Sequence, residues 1–214
     1  MEKQKKLLGY YNYTVILTYI GLLMGIAGIA FVMGEKYQQA IICLMICGCC
    51  DMFDGAVAST KQRSQREKSF GVQIDSLSDL VCFGVLPGFF TYSITGYRNL
   101  GLCVCCGYIL CALIRLSYFN VLEGERQWQD SGPRKWYIGL PVTAIALLLP
   151  ACFVIQQAWQ PERTGMFMGL LFIAAIAFVV PIRIKKPQLA GKLGFAAVGA
   201  TEFIALTTGM GLGV

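Results

Sequence analysis

The chain has 214 residues, of which 56% are hydrophobic and only 14% charged, with a mean hydropathy of +0.60 and a formal net charge of +6. A soluble domain carries roughly 25% charged residues, so this composition excludes an ordinary soluble fold. There is no histidine, which excludes a Ser-His-Asp triad, a Cys-His nucleophile and a histidine-ligated zinc site.

In chain order, Met1 to Lys6 is polar, and the apolar run behind it is long enough to cross a bilayer, which takes about 20 residues. That run exceeds the h-region of a cleavable signal, so the first span is expected to stay in the mature protein. The apolar runs predict membrane helices near Tyr13–Met33, Gln38–Ala58, Asp75–Thr95, Leu100–Asn120, Ile138–Gln157 and Thr164–Pro181. A seventh candidate, Leu193–Val214, is rich in glycine and contains Glu202. The connections are short, so the expected architecture is a single all-α polytopic membrane bundle over residues 1–214. It would have six core transmembrane helices and a possible seventh at the C-terminus.

Charge orients that bundle. With the amino terminus in the cytoplasm, the inner segments hold Lys3, Lys5, Lys6, Lys61, Arg63, Arg66, Lys68, Arg126, Arg134, Lys135, Arg183, Lys185, Lys186 and Lys192. The outer segments hold Lys36, Arg98 and Arg163, a partition of 14 against 3, and Arg115 lies within the fourth span. The net charge is therefore a topology signal suited to an anionic inner leaflet of the cell membrane, and no nucleic-acid partner is needed to explain it. Among the ten cysteines, Cys43, Cys47, Cys82 and Cys152 fall in apolar runs, where a thiol packs as a small apolar group. The echo of Cys47, Cys49 and Cys50 in Cys103, Cys105 and Cys106 lacks zinc-finger spacing.

The informative acids are Asp51 and Asp54, inside the second span, and Asp75 and Asp79, at the start of the third. Positions three or four apart share a helix face, so each pair projects together. A loop over Ser59–Ile74 would fold the helices back and bring the pairs to one depth. Each ionised aspartate in a membrane helix costs roughly 2.5–3.5 kcal/mol, and four cost about 10 kcal/mol. Divalent cations offset such a cost. Hard oxygen ligands select magnesium, manganese or calcium, and four carboxylates can hold two ions about 4 Å apart. The alternative is helix capping, at Asp75 above all, or pairing with Lys61, Arg63, Arg66 and Lys68. Capping does not account for Asp51 and Asp54. Gly55 and Ala58, with Ser69 and Gly71 at the loop's end, either let a flat base or a pyrophosphate approach the backbone or serve close helix packing.

Asp51-x2-Asp54-Gly55-x2-Ala58, followed by Gly71-x3-Asp75-x3-Asp79, resembles the signature of the CDP-alcohol phosphotransferase family. Two positions depart from it. Ser59 stands where the family has arginine, and eleven residues rather than eight precede Gly71. The inserted residues are basic, so Lys61 or Arg63 is the candidate replacement for that positive charge. The resemblance implies that Asp51, Asp54, Asp75 and Asp79 ligate two Mg2+ or Mn2+ ions. Asp79 would also be the catalytic base toward the acceptor hydroxyl, and Gly55, Ala58 and Gly71 would line the nucleotide site. It further implies a homodimer acting on a CDP-linked lipid among membrane lipids.

Phe70 to Gly84 with Pro87, Ile114 to Asn120, and Gly139-Leu-Pro141 resemble the branch that transfers the phosphatidyl group of CDP-diacylglycerol to L-serine, releasing CMP. Arg115 is then the candidate clamp on the lipid phosphate or the serine carboxylate; a structural ion pair or snorkelling is the alternative. Asn120 is a candidate for serine's polar groups, and Arg183, Lys185 and Lys186 for the lipid head group. Two other readings stay open: the same chemistry with glycerol phosphate, inositol phosphate or another acceptor, and a cation transporter. Transport sites usually sit at mid-membrane within repeats, and no repeat is visible here.

Overall fold

The computed structural model describes residues 9–128, 136–159, 163–185 and 189–209. The described residues form a helical bundle with one short antiparallel strand pair. A 3-10 turn over Tyr13–Val15, capped by the Asn12 side chain, leads into α1 (Ile16–Met33). Then come α2 (Tyr37–Ser59), α3 (Gln65–Asp79), a π-helical segment (Leu80–Val85) and α4 (Leu86–Ile94). The remaining helices are α5 (Asn99–Trp128), α6 (Ile145–Trp159), α7 (Arg163–Val179) and α8 (Leu189–Gly209). Among the described residues, five stretches are long and apolar enough to cross a membrane: Tyr13–Met33, Tyr37–Ser59, Gln65–Ile94, Asn99–Arg126 and Val142–Trp159. Gly165–Val179 and Ala196–Thr208 are apolar but shorter, and lie within the expected sixth and seventh segments. Residues 210–214 of the seventh segment lie outside the described residues.

The third span departs from expectation in a way that matters for the site. Its helix begins at Gln65, ten residues before Asp75, so the expected loop over Ser59–Ile74 shrinks to the turn between α2 and α3. The cause is local: the Ser64 hydroxyl accepts from the Glu67 amide while the Glu67 carboxylate accepts from the Ser64 amide, a reciprocal capping box. Ser69 and Gly71 are therefore helical rather than loop residues. Asp75 lies ten residues into α3, so it is not an N-cap.

Further along, Pro87 lacks the amide that an α-helix would direct at the carbonyl of Phe83. Among apolar neighbours an unsatisfied carbonyl costs several kcal/mol. The buried Tyr108 hydroxyl of α5 donates to Phe83 O at 2.6 Å and meets that need. This contact anchors the π-helical segment immediately after Asp79.

The core runs through the middle of the bundle, with Ile41, Leu44, Phe83, Phe90, Leu149, Phe167 and Phe178 buried. Phe90 packs edge-on against Phe153 and Phe167, with ring centroids 5.9 and 5.7 Å away. Such contacts are the main source of helix association in a lipid solvent, where apolar burial gives little. Outward faces carry exposed apolar residues at helical spacing, as with Ile16, Ile20 and Leu23. At the opposite end of α6 from Trp159, strand β1 (Trp136–Ile138) pairs with β2 (Arg183–Lys185), placing Trp136 across from Lys185 and Ile138 across from Arg183. Gly139 follows at φ +76°, and a Cβ there would lie 2.8 Å from Phe178 O. Only glycine fits that crossing.

Candidate active site

Asp51 and Asp54 occupy the last turns of α2, and Asp75 and Asp79 the last turns of α3. The antiparallel turn places carboxylate oxygens of Asp51, Asp54 and Asp75 within 4.8 Å of one another. All four aspartates line one cleft with about 10 Å³ of room, roughly the space of a single water or small ion. The donor set is hard oxygen gathered from two helices, the chemistry that divalent magnesium, manganese or calcium requires. The residues present fit such ions.

Helix α1 supplies the third wall through Leu17, Thr18 and Gly21. The Ser78 hydroxyl donates to Thr18 O at 3.3 Å and joins α3 to that wall. Below the acids, Cys47 and Cys50 of α2 and Cys82 of the π-helical segment complete the cleft.

The small residues of the motif divide. A Cβ on Gly55 would meet nothing within 4 Å, so Gly55 faces open space and is not a helix-packing glycine. Ala58 lines a second, wider cavity with Ser59, Lys61, Gln62, Arg63 and Lys68. At Gly71 a Cβ would lie 3.1 Å from Arg63 Nη1, so the guanidinium rests over the glycine, and its charge also acts on Asp54. The structure thus joins Ala58, Lys61 and Arg63 around one cavity, with Arg63 also over Gly71.

Asn120 reaches the same helix from α5. It accepts from the Ser76 hydroxyl at 2.7 Å and donates to Gln73 at 3.4 Å. Arg115 is 8% exposed, its guanidinium 5.9 Å from the Phe119 ring centroid and its Nε 3.4 Å from where a Gly139 Cβ would stand. Arg183 and Lys185 lie on β2, and Lys186 is outside the described residues.

The model of the CDP-alcohol phosphatidyltransferase family matches residues 11–182, from the turn before α1 to the start of β2. The chain belongs to that family. Among curated relatives, the CDP-diacylglycerol–serine O-phosphatidyltransferase of Helicobacter pylori J99 is 27% identical over 180 residues, 81% of this chain and 71% of that protein. The protein of the same name from Methanocaldococcus jannaschii is 30% identical over 187 residues, 86% of this chain and 84% of the relative. The archaetidylserine synthase of Methanothermobacter thermautotrophicus is 28% identical over 192 residues, 89% and 76% of the two chains.

For this member of the CDP-alcohol phosphatidyltransferase family, the sequence marks neither the α1 wall nor a place in the site for Cys47, Cys50 and Cys82, which read there as packing thiols or as part of a cysteine echo. Thr18 and Gly21 carry no charge to mark them. The cysteines were legible in principle: Cys47 lies one turn before Asp51 and Cys82 one turn after Asp79, each on the face of its aspartate.

Proposed function

We propose that the protein transfers the phosphatidyl group of CDP-diacylglycerol to the hydroxyl of L-serine, giving phosphatidylserine and CMP. The observation that carries the reading is the convergence of Asp51, Asp54, Asp75 and Asp79 on one cleft beside the open face of Gly55 and the basic cavity at Ala58. The names of the relatives support serine as acceptor.

In this reading Asp51, Asp54 and Asp75 hold divalent Mg2+ or Mn2+, with Asp79 contributing to a second ion. When bound, the ions neutralise the pyrophosphate and the charge that develops on it. Gly55, Ala58 and Gly71 border the nucleotide, and Arg63, with Lys61, supplies the positive charge that Ser59 lacks. The serine hydroxyl oxygen attacks the lipid-linked phosphorus, its proton passes to the Asp79 carboxylate, and the bond to CMP breaks. Arg115 holds the lipid phosphate or the serine carboxylate, and Asn120 serves the acceptor side while anchoring α3. Residues 1–214 act as one domain in the cell membrane, with the amino terminus and the site on the cytoplasmic face, as a homodimer.

Purified protein given CDP-diacylglycerol, magnesium or manganese, and a panel of alcohols tests this reading. We expect CMP release with serine alone. Release with glycerol phosphate or inositol phosphate instead would replace the acceptor, and no release with any alcohol would overturn the enzymatic reading.

A further inference from the structure

Directly beneath the carboxylates, two thiols from different helices share one acceptor. Cys47 Sγ donates to Gly21 O at 3.2 Å and Cys82 Sγ donates to the same oxygen at 3.3 Å. Bound to one oxygen, the two sulfurs stand side by side between α2 and the π-helical segment. Each residue is 2% exposed, yet both line the cleft that the four aspartates line. Helix α1 packs directly on Cys82: at Gly25 a Cβ would lie 2.8 Å from Cys82 Sγ, so only a glycine lets α1 come this close. Cys47 precedes Asp51 by one turn and Cys82 follows Asp79 by one turn, so a thiol layer underlies the carboxylate layer on the same two helices.

We propose that Cys47 and Cys82 form a peroxide-sensitive dithiol whose oxidation to a disulfide fixes the spacing of the aspartate-bearing helices and stops turnover. The co-reactant is hydrogen peroxide, the smallest hydroperoxide, which would reach the thiols through the cleft that they line. One sulfur attacks a peroxide oxygen and breaks the O–O bond, which leaves a sulfenic acid and, with hydrogen peroxide, one water. The second sulfur attacks that sulfenic sulfur, forms the S–S bond and expels another water. The two sulfurs lose two electrons and two protons, peroxide is reduced to two waters, and a dithiol reductant reverses the change. A disulfide holds its Cβ atoms roughly 3.5–4.5 Å apart, so closing it locks α2 at one distance from the segment that follows Asp79. The effect on turnover rests on the four aspartates being the active site, whereas formation of the disulfide does not.

The test treats the purified full chain with hydrogen peroxide and follows two readouts, peptide mapping by mass spectrometry and serine-dependent CMP release. A peptide pair linked through Cys47 and Cys82 should appear as CMP release falls on the order of 100-fold, the scale of a 1 Å misplacement in a catalytic site. Dithiothreitol should reverse both. Cys47→Ser and Cys82→Ser, which keep a donor to Gly21 O, should each remove the linked peptide and the peroxide sensitivity. Unlinked, overoxidised Cys82, or linkage confined to the exposed Cys49, Cys103 and Cys106, would overturn the pairing. Full linkage with unchanged CMP release would overturn the control of turnover. A chain inactive on serine would still report the pairing through its peptides, so failure of the activity reading is distinguishable.

Discussion

Ser76 donates a 2.7 Å hydrogen bond to the Oδ1 of Asn120, which fastens the helix carrying Asp75 and Asp79 to the fourth membrane span. Ser76 directly follows Asp75, so this bond sets how the carboxylate face of α3 is rotated. Ser76→Ala and Asn120→Ala should therefore lower CMP release by similar factors, and the double variant should be little worse than either. A coupling energy of about 0.5–3 kcal/mol in the double-mutant cycle is expected for partners in contact. Additive losses would show that Asn120 acts on the substrate without acting through Ser76.

Arg63 lies over Gly71, with its Nη1 3.1 Å from the position of an added Cβ. The guanidinium is the end of a flexible side chain, so Gly71→Ala should fold and displace it. Both Gly71→Ala and Arg63→Ala should raise KM for CDP-diacylglycerol by about 10- to 100-fold. That range is what losing one charge-assisted hydrogen bond of about 1.5–3 kcal/mol predicts. Adding Ser59→Arg to Arg63→Ala should recover much of the loss. Steady-state kinetics checks each step, and an unchanged KM in Arg63→Ala would remove Arg63 from the nucleotide site.

The pairing of Asp51 with Asp54 and Asp75 with Asp79 was legible because helical spacing of charged residues inside apolar runs has few explanations. The start of the third span is not legible in hydropathy, which detects only the apolar part of a helix, and Gln65 to Lys68 is polar. The signal present was chemical: Ser64 followed three residues later by Glu67. Ser64→Ala should cost about 0.5–2 kcal/mol and lower the melting temperature in detergent by roughly 2–4 °C per kcal/mol. Because the cap holds the turn that carries Arg63, KM for the CDP-lipid should rise with it. The third wall of the site stayed hidden for a different reason: α1 offers Thr18 and Gly21 to the cleft, residues that read as helix packing in any membrane span.

Tyr108 supplies the donor that Pro87 withholds from Phe83 O. Tyr108→Phe keeps the ring and removes only the hydroxyl, so it should cost about 1–3 kcal/mol, the penalty for a buried carbonyl left unpaired. Thermal unfolding in detergent measures that loss. Adding Pro87→Ala restores a backbone amide to the helix and should return part of the stability. No recovery in the double variant would mean that the Tyr108 hydroxyl does not replace the missing amide.

The aspartates of one cleft should fail in two distinguishable ways. In our reading Asp54 holds metal only, so Asp54→Asn should weaken ion binding, and raised magnesium should restore part of its CMP release. Asp79 also takes the serine proton, a role typically worth on the order of 10²–10⁴-fold in rate. Asp79→Asn should therefore lose turnover by that factor, and extra metal should not repair it. Metal itself should stabilise the native chain by about 2.7 kcal/mol at a hundredfold excess over its dissociation constant. That shift, read as a melting-temperature change on adding magnesium, should shrink in Asp54→Asn. Four carboxylates in a cleft of about 10 Å³ repel one another without a cation between them, so chelation should abolish turnover. Full CMP release in the presence of a chelator, or a magnesium-independent melting temperature, would refute metal binding by this cluster.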